Sequence, residues 1–444
     1  MCFEYDVLVI GGGMSGVSAA VSAAKKGLRV MLVEQLSLLG GMGTAGLITM
    51  VMTSRQWFYG FGRELMETLC RKGGARKIEK PAIAGYDYYP FDAESMKREL
   101  DDVLEKSGVT LLLGTKLISA SCEDGRVTEV TLCGPQGLFE VRAKVFVDAS
   151  GDAALCEAAG EKILYGDEDR SIQAPTMMAY YAGIDFDRYE AFLAGFEDGK
   201  RAAKINMIHT LMPIAVKDGV VSELDLHHPG IFRINENESI GVMNAGHVYG
   251  ADISTAEGFT AATVRGRRMA KEYLEFYRRY VPGFENAYMT NTGSVLALRE
   301  GKRVVGRYVM RFEEKAEYKR FEDAVMRMDG GAVSDLHASS ADKKAYEMYR
   351  ALFADREKVR TDDFATLPYR SLLAKKNDNL LVCGRCVSAD RKVLGQIRIM
   401  GYCFMMGEAV GLAAAIACKH SCDPAQIDVA ALQGALLENG ILTL

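Results

Sequence analysis

Apolar positions along this chain alternate between strand-like runs and helical spacing. Tyr5 to Ile10 is a short apolar run, small residues continue from Met14 to about Lys26, and Arg29 to Val33 is a second apolar run ending in Glu34. Short apolar runs next to glycine predict buried strands, and the small-residue stretch between them predicts a helix, so the chain opens as a strand–helix–strand unit. Phe91 to Lys106 has helical periodicity, Val109 to Ile118 reads as a strand, and Gly125 marks a hairpin between Ser119 and Val130. Val145 to Val147 is a further buried strand. From Gln173 to about His247 the pattern shortens to alternating segments such as Thr176 to Gly183 and Ile231 to Ile234, which predicts a separate antiparallel sheet. A long amphipathic helix is expected over Thr255 to Tyr280, stopped by Pro282-Gly283, and a charge-rich helical region over roughly Phe312 to Lys358. Asn379 to Cys383 returns to strand. Phe404 to Lys419 then predicts a helix in which Gly407, Ala409, Gly411, Ala413, Ala414 and Ala415 leave so little bulk that it can approach a backbone or a flat ligand closely.

The first unit carries a specific loop, Gly11-Gly12-Gly13-Met14-Ser15-Gly16. Gly11 permits the tight turn, Gly13 lets the backbone approach a pyrophosphate, and Gly16 lets the helix sit against the strand, while the helix N-terminus offers N–H groups and the positive end of its dipole. Glu34 ends the second strand, where a carboxylate accepts hydrogen bonds from ribose hydroxyls and repels a 2′-phosphate. An adenine dinucleotide other than NADP is the expected ligand. A second loop of small residues, Asp148-Ala149-Ser150-Gly151-Asp152, follows Val147 and also allows close approach to a ligand; a simple strand-to-helix turn is the lesser alternative.

Composition narrows the class. With 444 residues, 25% charged and a net charge of −5, the chain is an ordinary globular one of two or three domains, and nothing points to a nucleic-acid surface. The densest basic run, Arg265 to Arg279, is interleaved with Glu272 and Glu275 and reads as a solvated helix face. Ten cysteines in a chain this long do not resemble a secreted disulfide framework, and Tyr5 already lies in a strand, so a reduced, cytoplasmic protein is expected. The small-residue stretch Gly407 to Cys418, interrupted by Glu408, is too short to span a bilayer.

Several segments in order resemble the FAD-dependent oxidoreductase family, similar in architecture to glutathione-reductase-type flavoproteins and distantly to the fumarate reductase flavoprotein. They are the first glycine loop with Glu34, Leu39 to Leu47 (LGGMGTAGL), Val147 to Asp152, Tyr280 to Phe284, Leu298 to Gly306 (LREGKRVVG), Asn379 to Ser388, and Gln396 to Met400 with Gly407 and Gly411. The resemblance implies an α/β fold: a Rossmann-like FAD-binding domain, its parallel sheet carrying a three-stranded antiparallel crossover, plus an inserted α+β cap. Residues 1–172 and 361–444 would form the first domain and 173–360 the second. It implies FAD as cofactor, with Gly11, Gly13, Met14, Ser15 and Gly16 at the pyrophosphate and Glu34 and Gln35 at the ribose. Gly40, Gly41, Met42 and Thr44 would lie along the cofactor towards the flavin, and the Leu117 backbone would meet the adenine edge. Ala149, Ser150, Gly151, Gly384, Arg385 and Arg398 complete the set; at Arg385 related proteins often carry an acid, so a guanidinium would face phosphate instead. The last apolar helix would aim its N-terminus at the flavin pyrimidine.

No second Gly-x-Gly-x-x-Gly follows position 16, so a dedicated NAD(P)H domain is not expected and the middle region becomes a substrate cap. The expectation is hydride transfer between flavin N5 and a small polar or carboxylated molecule, with an electron partner the sequence does not name; a homo-oligomer is compatible, and neither nucleic acid nor membrane is implied. Arg398 is the first catalytic candidate, as a clamp for a carboxylate, and it reads equally as a partner of a structural acid. Arg299 and Arg303 come second; at i and i+4 of a helix they would share a face. Among the histidines, His247 and His209 sit in the expected cap sheet, and His227 and His228 would point to opposite faces of a strand. No spacing supports a metal site. Cys383 and Cys386 form a C-x-x-C pair, which leaves a thiol-disulfide oxidoreductase open, as does a flavin-binding module without turnover. Trp57, Phe58, Tyr59, Tyr86, Tyr88 and Tyr89 read as an aromatic pocket or as core.

Overall fold

The computed structural model describes residues 2–79, 85–196, 200–226, 230–234, 239–331, 334–341, 347 and 363–440. Its central sheet begins with Cys2–Ile10, which runs parallel to Val30–Val33 on one side and to Gly137–Asp148 on the other. Thr110–Leu112 extends the sheet beyond Val30–Val33, and Leu380–Val382 extends it beyond the C-terminal end of Gly137–Asp148, both in parallel. Val7, Leu8, Val9 and Ile10 are all buried, because the sheet is covered on both faces. Val7 and Val9 belong to one apolar cluster and Leu8 and Ile10 to another. Gly137–Asp148 is long enough to serve two partners along the edge away from Cys2–Ile10. Its first part pairs antiparallel with Arg126–Gly134, and that strand with Lys116–Glu123, which makes the expected three-stranded antiparallel crossover. The strand expected over Val109 to Ile118 is broken in two at Gly114, whose φ of +58° turns the chain while its N–H and that of Thr115 bond to Leu36 and Glu34.

The C-terminal apolar helix spans Met400–His420 and so begins earlier than Phe404. It packs along the first helix, Met14–Ala24. A methyl group added at Gly407 would lie 2.1 Å from the Ser15 carbonyl oxygen, and one at Gly411 would lie 2.4 Å from that of Ala19. The small residues of this helix thus serve contact with another backbone. At 21 residues it reaches the length of a bilayer span, but it is buried along most of that length within the protein.

A second sheet of four antiparallel strands runs in the order Gly230–Arg233, Gly241–Asn244, Ala179–Ala182, Tyr288–Thr292. It has an apolar cluster of its own, built with Ala256–Tyr280, which Thr255 caps at its start. Between the first two segments read as strands the chain forms a helix instead, Lys200–Lys217, burying Ala203, Met207, Ile208, Met212 and Ala215 at helical spacing. The expected helical region after Phe312 is also corrected. It contains only the short helix Phe312–Ala316 before the chain enters a strand, Ala324–Asp329, paired with Phe364–Pro368. Most of the remainder of that region, 342–346 and 348–362, lies outside the described residues, as do His227 and His228.

Candidate functional site

The glycine loop is shaped by contacts that no side chain would permit. Gly11 has φ +106°, and a methyl group at Gly16 would lie 1.8 Å from the Gly11 carbonyl oxygen, so helix and strand meet backbone to backbone. Gly13 differs: a methyl group there would touch nothing within 4 Å. The open space lies at the N-terminus of Met14–Ala24, which no side chain caps and whose first turn carries no acid. Glu34, nearly buried at the end of Val30–Val33, accepts hydrogen bonds from Gly12 N at 2.7 Å and Leu36 N at 2.9 Å, while burial pushes its carboxyl group up from the usual range. Gln35 beside it is exposed.

Other loops close on the same crevice. Gly40 N donates to Gly12 O, and Gly41 packs against Gly13. Gly43 sits between Met14, Met400 and Phe91, so the start of the Met400–His420 helix, also uncapped by a side chain, faces the Gly40–Thr44 loop. Thr44 donates to Leu39 O and Met42 Sδ accepts from Leu298 N. Asp148 organises the second loop by accepting from Ser150 N, Ser150 Oγ and Cys156 N. Ala149 backs Gly11, and Gly384 packs against Ser15. Gly151 abuts Arg385, whose side chain is 11% exposed and forms a bidentate pair with Asp152 at 3.0 and 2.9 Å. The guanidinium expected to face phosphate is therefore engaged by a protein carboxylate. Leu117 lies in Lys116–Glu123, opposite Leu132 and two residues beyond Thr115, which bonds to Glu34 O.

The three catalytic candidates come together although 99 residues separate Arg299 from Arg398. Arg398 joins the helix Arg391–Ile397 to Met400–His420 and donates through Nη2 to Asp335 O at 2.7 Å and Asp335 Oδ2 at 3.1 Å. His337 Nε2 stands 3.6 Å from the same Asp335 Oδ2. His337 Nδ1 is 2.9 Å from His247 Nε2, and His247 Nδ1 is 2.9 Å from Asp225 Oδ2. Arg299 donates to Ala174 O and Thr176 Oγ1, and Thr176 bridges to His247. Burial first, then the Arg299 charge, holds His337 well below the usual imidazole range. Asp225, Asp335 and His337 were not anticipated. Their one signal in the sequence is Asp335-Leu336-His337 after the paired Gly330-Gly331, an acid and an imidazole two residues apart in a loop. Arg299 and Arg303 do not share a helix face: Arg299 is in a loop and Arg303 in the strand Lys302–Val304 paired with Ile163–Tyr165. His209 lies on the helix Lys200–Lys217, with Nε2 3.3 Å from Leu226 O.

The description "FAD dependent oxidoreductase" belongs to the family profile that matches residues 6–436. The chain belongs to the FAD dependent oxidoreductase family. It is similar to digeranylgeranylglycerophospholipid reductase of Methanocella arvoryzae, 28% identical over 155 residues, 33% of this chain and 39% of that protein. It is also similar to glutathione reductase of Debaryomyces hansenii, 29% identical over 194 residues, 42% of this chain and 38% of that one. The chain thus spans about two fifths of the length of these curated relatives. Among solved structures, a geranylgeranyl bacteriochlorophyll reductase-like protein from Thermoplasma acidophilum aligns over 99% of this chain and 84% of its own with a TM-score of 0.51 at 14% identity, a likeness of fold.

FAD fits the crevice of this flavoprotein. The open space at Gly13 suits a pyrophosphate at the helix N-terminus, and the Glu34 carboxylate, which accepts from backbone N–H groups including Gly12 and Leu36, has acceptor capacity left for a ribose hydroxyl. Cys383 and Cys386, at the end of Leu380–Val382, are fully buried, and burial pushes both thiols up, opposite to what a reactive dithiol requires. Of the aromatic residues that read as a pocket or as core, Phe58, Tyr86 and Tyr89 are buried, Trp57, Tyr59 and Tyr88 are partly exposed, and Tyr86 OH donates to Asp329.

Proposed function

We propose that this flavoenzyme moves a hydride between flavin N5 and a small polar or carboxylated organic molecule, in the cytoplasm, with electrons entering or leaving through a partner other than a built-in NAD(P)H domain. The observation that carries the reading is the convergence of Arg398, Arg299 and His247 beside the loops expected at the flavin half of FAD. Leu298, next to Arg299, bonds to Met42, and Arg398 lies two residues before the Met400 helix start that packs against Gly43. Bound FAD supplies a two-electron hydride donor or acceptor. The chain's own groups do the rest. Arg398, oriented by Asp335, clamps a carboxylate or carbonyl oxygen and stabilises negative charge that develops there. Arg299, braced by Ala174 and Thr176, adds a second positive charge, and the buried surroundings strengthen both interactions by excluding water. Parallel strand pairing among the described residues is confined to the one central sheet, which supports an external electron partner.

The test is an anaerobic screen of the FAD-loaded chain against small carboxylic acids, neutral metabolites, nicotinamides, disulfides and geranylgeranyl lipids, read at the oxidised-flavin absorbance. A small carboxylated or polar compound should bleach the oxidised flavin or restore the colour of the photoreduced one, and Arg398→Lys should raise its KM. A response limited to geranylgeranyl lipids or disulfides would overturn the proposal.

A further inference from the structure

We propose that Asp225, His247 and His337 form a proton relay that exchanges one proton with the substrate at His337 Nε2 each time a hydride is transferred. The inference rests on the hydride-transfer reading above and adds the group that balances it. A hydride added to one atom of an unsaturated bond leaves negative charge on the other, and that atom must gain a proton; in the oxidative direction the proton is removed instead.

The hydrogen-bond pattern supports this role. His247 is 2% exposed and its ring lies between Asp225 and His337. Asp225 receives His247 N at 3.0 Å, His247 Nδ1 at 2.9 Å, Tyr249 OH at 2.9 Å and Tyr273 OH at 3.3 Å. A carboxylate is acceptor-only, so the His247 tautomer is fixed with hydrogen on Nδ1. Nε2 of His247 then faces Nδ1 of His337, and a hydrogen bond at 2.9 Å needs one hydrogen between them. If the pair carries two ring protons, that hydrogen belongs to His337 Nδ1 and leaves Nε2, 3.6 Å from Asp335 Oδ2, without a proton of its own. A third proton puts N–H on His337 Nε2, aimed at Asp335 across 3.6 Å.

Two influences oppose each other across this choice. Asp225 and Asp335, one at each end, favour the third proton; burial, Arg299 and Arg398 disfavour it. Among the described residues Tyr249 and Tyr273 also face the pair, through Asp225. Burial and Arg299 prevail at His337, so the resting pair is neutral and the third proton is held only transiently. In the reductive direction His337 Nε2–H gives its proton to the substrate, the His247 Nε2–H hydrogen passes to His337 Nδ1, and the pair becomes neutral. His337, 13% exposed where His247 is 2% exposed, regains the proton from solvent. Oxidation reverses each move. His337 is the proton-transfer residue; His247 and Asp225 position it and hold the displaced charge.

The test uses the FAD-loaded full chain with 15N-labelled histidine. Across pH 5 to 9 His247 and His337 should titrate as one coupled pair, with Nδ1–H retained on His247 throughout, and Asp225→Asn should abolish both features. Two independent titrations, or a tautomer indifferent to Asp225→Asn, would overturn the relay whatever the substrate. With the compound found in the flavin screen, His337→Gln should lower kcat about 100-fold with little change in KM, remove the solvent deuterium effect on turnover, and be partly rescued by added imidazole. Wild-type kcat and pH profile in His337→Gln would overturn the relay while leaving hydride transfer standing. Failure of every compound in the screen would sink the hydride reading and leave the relay to be decided by the coupled titration alone.

Discussion

Replacing Glu408 with Gln should stabilise the protein above neutral pH and not in acid. Glu408 lies on the buried C-terminal helix, 6% exposed, and accepts Phe61 N at 2.8 Å at the start of the helix Gly60–Arg71. Burial pushes its carboxyl group from 4.5 to about 7; the Phe61 hydrogen bond and Lys25 oppose that rise and Glu64 adds to it. A group whose folded pKa is raised contributes stability that is fully present below its unfolded value and is lost as pH rises through the folded value. The interval between 4.5 and about 7 corresponds to about 3 kcal/mol, reached by pH 8. Glutamine mimics the protonated acid: its oxygen accepts Phe61 N and its amide carries the donor, while it cannot ionise.

The measured quantity is the difference in unfolding free energy between Glu408→Gln and wild type, from urea titrations of the FAD-saturated protein at pH 4.5 and pH 8. A fixed packing offset from the amide is common to both pH values and cancels. The difference should grow by about 3 kcal/mol in favour of the variant over this window. A difference that stays constant, or that shrinks as pH rises, would refute the assignment of a buried, reluctant carboxylate at this position.

Three further outcomes follow from the same geometry. Gly13→Ala, with open space around the new methyl, should leave apoprotein stability within about 1 kcal/mol yet weaken FAD binding at least about tenfold, measured by flavin fluorescence titration; Gly16→Ala should lose both, because its methyl meets the Gly11 carbonyl. Gly407→Ala should cost about 1–3 kcal/mol in urea unfolding by pushing the C-terminal helix off Ser15. Because the Glu34 pKa is raised, FAD affinity should fall as pH is lowered through that raised value, when the carboxyl group gains a proton and gives up acceptor capacity; Glu34→Gln should bind FAD more weakly with no such pH dependence.

The elements legible in the sequence are those whose constraints are local. Gly11, Gly13, Gly16 and Glu34 are set by a turn, an open approach and a helix contact within 24 residues of one another, and the hairpin at Gly125 by two adjacent positive-φ residues, Asp124 and Gly125. The Lys200–Lys217 helix was obscured because Pro213 interrupts its pattern and the surrounding segments are short strands. The strand Ala324–Asp329 is buried on both faces, so its Arg327 and Asp329 read as a solvated helix until Trp57 and Phe364 are seen over Arg327 and Tyr86 and Tyr402 on Asp329. Spacing likewise misassigned Arg299 and Arg303, because Gly301 is packed against Asp152 and the chain enters a strand at Lys302 instead of continuing a helix.

The polar cluster was harder to read for a different reason. Its members come from a loop at Asp225, the segment after Gly241–Asn244, the Asp335–His337 loop and the junction before the last buried helix, so no interval in the sequence relates them. What assembles them is indirect. Glu300, fully buried, receives Gln173 and Arg391, and Gln173 in turn receives His337 N at 2.9 Å. One carboxylate thereby ties the segment at Gln173, the 334–338 loop and the helix leading into Arg398 to the residue after Arg299. A buried acid serving that many donors costs several kcal/mol if its partners are removed, so Glu300 restricts relative movement of the pieces that carry the cluster. The glycine loop and Glu34 are set by close backbone approach within one strand–helix–strand unit; the polar groups of the cluster are held by a buried charge network drawn from separate parts of the chain. That difference explains why the first leaves a signal in local spacing and the second appears only once the chain is folded.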